Sequence, residues 1–183
     1  PKTAADDLQA SGRHDVKIYN PPGGVPVFFN TQQPPFDDVR VRKAIHLAVN
    51  RQELVDTVAE GVGRVGHPYW PDTWMLSMDE LLTLPGYRAD KTEDLVEARR
   101  LIAEVTGGGP LTIENITSVN FPHPEIAESM ISQLEKANII LKNTMVDNRT
   151  LINKVILNKD FGMSLVEFNM AYDNPDSWND QQY

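Results

Sequence analysis

The run of residues best equipped for chemistry is Asn169-Met170-Ala171-Tyr172-Asp173-Asn174-Pro175-Asp176-Ser177-Trp178, near the end of the chain. It follows an apolar stretch, residues 161–168, that reads as a strand. Ligands of open α/β sheets bind beyond the carboxyl ends of strands. An aromatic, carboxylate-rich loop in that place can hold a polar or cationic ligand. The same Asn-Pro-Asp residues also suit a plain surface turn, and on these residues alone both readings stand.

Other patterns point to less. Gly61-Val62-Gly63-Arg64-Val65-Gly66 has the G-x-G-x-x-G spacing. Dinucleotide binding needs a strand before that motif and a helix after it. Here a helical pattern precedes it and His67-Pro68-Tyr69-Trp70-Pro71 follows, so a helix stop and loop is the better reading. His14, His46, His67 and His123 are the four His, and no two are spaced i, i+3 or i+4. A transition-metal site needs several convergent ligands, so no metal site is expected. His46 falls beside an apolar helical stripe and reads as a boundary residue. No G-x-S-x-G, P-loop or triad spacing appears, and the carboxylates are scattered. Asn115-Ile116-Thr117 and Asn148-Arg149-Thr150 match the glycosylation pattern, which is short enough to arise by chance. No catalytic residue and no cofactor is expected.

The bulk composition narrows the classes further. The chain has 183 residues, a net charge of −9, no Cys and 40% hydrophobic residues. That length suits one domain, or one domain with an appendage. A charge of −9 argues against phosphate-backbone binding, which needs clustered Lys and Arg. No run reaches the roughly 18–20 apolar residues of a membrane span. Absence of Cys excludes disulfides, thiolate zinc and a Cys nucleophile. The start, Pro1-Lys2-Thr3, has neither Met nor an apolar leader and reads as a processed or excised chain.

The elements that must position these residues follow from periodicity and punctuation. Residues 1–12 show no clear period. Residues 16–19 alternate as a short strand, and Asn20-Pro21-Pro22-Gly23-Gly24 is a turn by composition. Residues 25–31 read as a strand ended before Pro34 and Pro35, which donate no N–H. Asp37 or Asp38 can cap a helix whose stripe is Val41, Ala44, Ile45, Ala48 and Val49. After Asn50 a second helix carries Leu54, Val55, Val58 and Ala59, and Gly61 ends it. Residues 61–90 are irregular, with Tyr69, Trp70 and Trp74 and a helical turn or two at residues 78–84. Thr92 reads as the cap of a helix with Leu95, Ala98, Leu101, Ile102 and Val105. Residues 111–117 are a strand. A helix follows, with Pro124 in its first turn and Ala127, Met130, Ile131, Leu134 and Ala137 on its stripe. Asn138 takes the left-handed cap. Then come a strand at 139–146, a short helix at 150–157 and a strand at 161–168. From residue 92 the order is α-β-α-β-α-β, which implies an α/β fold with right-handed crossovers and a sheet flanked by helices. The expected core includes Phe28, Ile45, Val49, Leu101, Ile113, Leu134 and Leu165.

Several stretches together resemble one family. Phe28-Phe29-Asn30-Thr31 with Pro34-Pro35-Phe36-Asp37-Asp38-Val39-Arg40-Val41-Arg42-Lys43-Ala44-Ile45 resembles a segment of the family-five extracellular solute-binding proteins. These are the oligopeptide, dipeptide and nickel-type receptors of ABC importers. Asn50-Arg51-Gln52-Glu53-Leu54-Val55 matches the next segment, with Asn50 for the usual Asp. Gly86-Tyr87, Ala98-Arg99-Arg100-Leu101-Ile102-Ala103-Glu104 and Gln133-Leu134-Glu135-Lys136-Ala137-Asn138-Ile139 are similar to later ones, with Asn138 for the usual Gly. Tyr172-Asp173-Asn174-Pro175-Asp176 resembles the family's ligand-side loop. The likeness runs from residue 25 onward.

The resemblance implies one lobe of a type II periplasmic-binding-protein-like fold. Residues 1–24 would be an extension from a first lobe, and residues 25–183 most of a second. It further implies a monomeric, non-enzymatic substrate-binding component of an ABC importer, outside the cytoplasm, in the periplasm or anchored to a membrane. The receptor would capture a small solute between two lobes and deliver it to permease subunits, with no nucleic acid involved. The expected ligand-binding residues are Asn30, Trp70, Trp74, Glu167, Asn169, Tyr172, Asp173 and Trp178. Peptide-binding members often hold the ligand amine with an acidic residue four before the loop Pro; here that position is Ala171. A sugar, an opine-like compound or a differently held peptide is left open. The competing readings are a ligand-sensing domain of a transcription regulator and an α/β enzyme.

Overall fold

A computed structural model describes residues 2–13, 15–16, 23–66 and 76–169. In chain order the elements are α1 (Lys2–Ala10), β1 (Gly23–Gly24), β2 (Val27–Phe29), α2 (Val39–Ala48), α3 (Arg51–Thr57) and α4 (Met78–Leu81). There follow α5 (Thr92–Thr106), β3 (Leu111–Ser118), α6 (His123–Glu135), β4 (Ile139–Val146) and α7 (Asn148–Ile152). A π-helical segment (Asn153–Leu157), β5 (Met163–Leu165) and β6 (Phe168–Asn169) complete the series. The α/β alternation expected from residue 92 is present. Four strands form one sheet in the order β2-β5-β3-β4, and β1 pairs with β6. β3 is parallel to both β4 and β5, while β2 runs antiparallel to β5.

One face of the sheet is covered by α2, α5 and α6. The stripes expected for these helices supply its core: Val41, Ala44, Ala98, Ile102, Ala127 and Leu134 are fully buried, at 0% exposure. Burying a side chain of the size of Ile102 or Leu134 stabilises the fold by about 2 kcal/mol. Ile45, Val49, Leu101, Ile113 and Leu165 are buried as expected. Phe28 is not: it is only half-buried. Alternation along β2 sends Val27 and Phe29 to the helix-covered face and Phe28 to the other. Phe36 fills the core instead, 1% exposed, with its ring 5.4 Å from that of Phe29. On the opposite face Ile116 packs against Leu151 and Val155.

The termini of the elements differ from expectation in ways their hydrogen bonds explain. Asp38 caps α2, its carboxylate accepting from Arg40 N, and Asn50 caps α3 by accepting from Glu53 N. Thr92 is not a cap; it is the first residue of α5, and Asp90 accepts its N–H at 2.9 Å. α7 starts two residues earlier than the apolar pattern suggests, because Asp147 accepts from Thr150 N. Asn138 does adopt the left-handed conformation, φ 64°, and its side chain donates to Gly109 O. Residues 2–10 form a helix although they lack a period. Its side chains at 6–10 are exposed, and its Ala residues favour a helix by local propensity. The strand expected at 16–19 falls outside the described residues except Val16, which lies in no element. The strand expected at 25–31 is shorter, and that at 161–168 is divided between β5 and β6.

Candidate functional site

β3, β4 and β5 all point the same way, so Ser118, Val146 and Leu165 finish at one end of the sheet. The parts of this end are tied together by short polar bonds. Ser118, 1% exposed, donates from Oγ to Asn148 Oδ1 at 2.6 Å and accepts from Asn120 N at 3.1 Å. Val119 N donates to Val146 O at 2.9 Å, which carries the β3–β4 ladder into the loop. His123 Nδ1 donates to Asn120 O at 3.1 Å, fixing the start of α6. Its Nε2 is buried with no hydrogen-bond partner. Thr150 donates to Asp147 from Oγ1 and from N, and these bonds hold the Asp147 carboxyl below its ordinary pKa. Val119 and Phe121 stand exposed beside them, at 53% and 65%. The end thus offers amide groups next to apolar surface, anchored by buried groups beneath.

Beyond this end the chain forms a two-stranded ribbon. Phe29 pairs with Met163, Val27 with Leu165, Gly24 with Phe168 and Gly23 with Asn169. These pairs share a single register, so β2 with β5 and β1 with β6 are one continuous antiparallel ladder. Pro26 interrupts it because it has no N–H to donate, although Val166 N still reaches Pro26 O at 3.5 Å. β3 ends beside β5, at Ser118. Residues 23–26 and 166–169 therefore project past the parallel strands as two adjacent passages of chain, one entering the sheet and one leaving it.

The residues expected to bind ligand are distributed unequally about this arrangement. Glu167 lies on the projecting part of the ribbon and is exposed. Asn169 ends it, paired with Gly23. Asn30 lies at the opposite end of the sheet. Its N donates to Gly162 O at 2.9 Å, which sets it about 16 Å from Glu167 by strand rise. Its side chain is also engaged, Nδ2 donating to Lys159 O at 3.0 Å and Oδ1 accepting from Gln32 N at 3.2 Å. Asn30 and Glu167 are not brought together. Trp70, Trp74, Tyr172, Asp173 and Trp178 lie outside the described residues. Ser118, Asn120 and Asn148 were missed by residue type; their signal is position, each lying at or just after the carboxyl end of a strand that feeds a helix. Asn115, of the first glycosylation pattern, is 2% exposed and bonds Asn143 Oδ1, while Asn148 of the second is exposed.

A separate groove of about 670 Å³ lies at the far edge of the sheet, between α3, α6 and β4, and none of the expected ligand residues lines it. Among the described residues no three His, Asp or Glu converge into a metal-sized cluster, and no helix is long and apolar enough to cross a membrane.

Known proteins resemble this chain in sequence and in fold. The periplasmic oligopeptide-binding protein OppA of Escherichia coli (strain K12) is 34% identical over 115 residues, covering 60% of this chain and 20% of that protein. The crystal structure of Haemophilus influenzae OppA in complex with RPPGFSPFR superposes with a TM-score of 0.77 at 20% identity, covering 96% of this chain and 35% of that one. The AgaA protein of A. tumefaciens R10, in complex with agropinic acid, gives a TM-score of 0.75 at 20% identity, covering 98% and 35%. The chain therefore spans about a fifth of the curated relative's length and about a third of each structure. The family model described as "Bacterial extracellular solute-binding proteins, family 5 Middle" matches residues 1–183, and the chain belongs to that family.

Proposed function

We propose that residues 25–183 form most of the second lobe of an ABC-importer receptor, with residues 1–24 leading from the first lobe. A small solute binds between the lobes, against the carboxyl end of β3, β4 and β5, and is handed to a membrane permease. The observation that carries this reading is the ribbon of residues 23–30 and 162–169. Its two chain passages leave the sheet side by side at the end where α/β sheets bind ligands. Two adjacent crossovers can bend together, which is what a hinge between lobes requires.

In this reading Glu167 and Asn169, with Tyr172, Asp173 and Trp178 after them, come from the outgoing passage and face the cleft. Trp70 and Trp74 contribute from the segment between α3 and α4. Asn30 locks the base of the ribbon instead. The ligand is a peptide, a peptide-like or opine-like compound, or an oligosaccharide. The relatives' ligands, a peptide and agropinic acid, favour the first two classes. Ala171, at the place of the usual amine-binding carboxylate, favours a ligand not held by its α-amine. The receptor works outside the cytoplasm as a monomer and catalyses nothing.

The test is native mass spectrometry of the full-length protein, purified without denaturation. A co-purifying small molecule of one of these classes, released on unfolding, is expected. A protein that carries none, and binds none from a panel of peptides, opines and oligosaccharides, contradicts the reading.

A further inference from the structure

α2, α3 and the turn at residues 85–91 meet around His46. Arg51 Nη2 lies 3.0 Å from His46 Nδ1, and His46 Nε2 lies 3.0 Å from Pro85 O. A guanidinium has only donors and stays protonated, and a carbonyl only accepts. Nδ1 must therefore be the bare acceptor and Nε2 must carry the hydrogen. Both ring nitrogens are committed, and the imidazole is held neutral by geometry.

The surroundings pack closely around the ring. Arg51 Nη1 also donates to Gly86 O at 2.7 Å and to His46 O at 3.2 Å. Gly86 has φ +86°, and a Cβ there would sit 2.2 Å from His46 Nε2. The Tyr87 ring stacks under Arg51 at 4.6 Å and meets His46 edge-on at 5.4 Å. The charges around His46 are Arg51 from α3, Arg88 from the turn, and Lys91, Glu93 and Asp94 from the start of α5. Asp94, 2% exposed, already accepts from Lys91 Nζ at 3.0 Å and from Gly86 N at 2.8 Å. Glu93 pairs with Arg88. Both carboxylates are thus already paired, and the new N–H of an imidazolium would point at the guanidinium.

We propose that His46 is a pH-operated latch that holds turn 85–91 against α2 and α3 while neutral and releases it on protonation. Burial first, and then the neighbouring Arg51 charge, hold its pKa below the ordinary histidine value. The sign follows. A depressed histidine stabilises the closed turn above the pKa of the open state, ~6.5, and loses that contribution as pH falls toward the closed-state pKa.

Hydrogen exchange of the full-length protein tests this, read on peptides covering residues 85–91 from pH 7.5 to 5.5 and corrected for intrinsic rates. Below pH ~6.5 the opening equilibrium should rise about tenfold per pH unit, the signature of one proton taken up on opening. His46→Gln keeps a donor and an acceptor but cannot be charged in this range, and should show a flat profile. Identical profiles for the two proteins, or undiminished protection at pH 5.5 in the wild type, overturn the proposal. The wild-type ring can also be followed by ¹³C-labelled histidine NMR, which needs no variant. Titration below the ordinary value is expected; titration at or above it overturns the latch.

Discussion

Asp94 is the residue on which the interior near α5 depends most. Its carboxylate is buried beside the Lys91 ammonium, itself 9% exposed, and also holds Gly86 N. Asp94→Asn keeps the shape but leaves an uncompensated buried cation, so a loss of about 3–5 kcal/mol is expected. It should appear as a lower urea midpoint with an unchanged slope. Asn138 makes a finer test, because its left-handed backbone was legible from its place after a helical stripe. Asn138→Ala should cost about 1–2 kcal/mol, the penalty of a Cβ in that conformation. Asn138→Gly should fall within about 0.5 kcal/mol of wild type, since relief of strain offsets the lost bond to Gly109 O. The His46 cluster, by contrast, was not legible. Gly86 lies forty positions from His46, and no local pattern encodes a contact at that separation.

At the scale of elements, every helix with a clear apolar stripe was legible, because burial on one face dictates the period. α5 shows both faces. Ile102 on its inner face, like Leu134 of α6, is fully buried, while Val96 on its outer face is 61% exposed. Leu134→Ala should cost about 2–5 kcal/mol and Val96→Ala under about 0.5 kcal/mol, both measured by denaturant unfolding. On the outer face of α5, hydrogen bonding from Arg100 holds the Glu97 carboxyl at about 2. That depressed carboxylate contributes above its ordinary pKa and loses its effect as pH falls from about 4.5 toward 2. Exposed pairs of this kind stabilise little. A change in stability between pH 7 and 5 therefore does not belong to Glu97. What was not legible was where capping side chains override the pattern. Thr92 falls inside α5 with its N–H bonded to Asp90, and Asp147 starts α7 ahead of its apolar residues. α1 was missed for a different reason: its side chains at 6–10 are exposed and leave no period to read.

For the whole molecule, the α/β class and the family were legible because the order of elements and several motifs agree. The ribbon was not. It arises from two short, weak segments, Gly23–Gly24 and Phe168–Asn169, that lie far apart in sequence and pair in the register set by β2 and β5. The family resemblance joined Asn30 to Glu167 in one site, whereas strand direction sends them to opposite ends of the sheet. The ribbon also makes the central claim measurable. If the ligand is held between two lobes, residues 25–183 supply only part of its contacts. Isothermal titration calorimetry should compare the full-length protein with the 183-residue chain, using the molecule that co-purifies with the former. The account predicts saturable binding by the full-length protein and binding at least about a hundredfold weaker by the isolated chain, a difference of ~2.7 kcal/mol. Equal affinity in the two would contradict it.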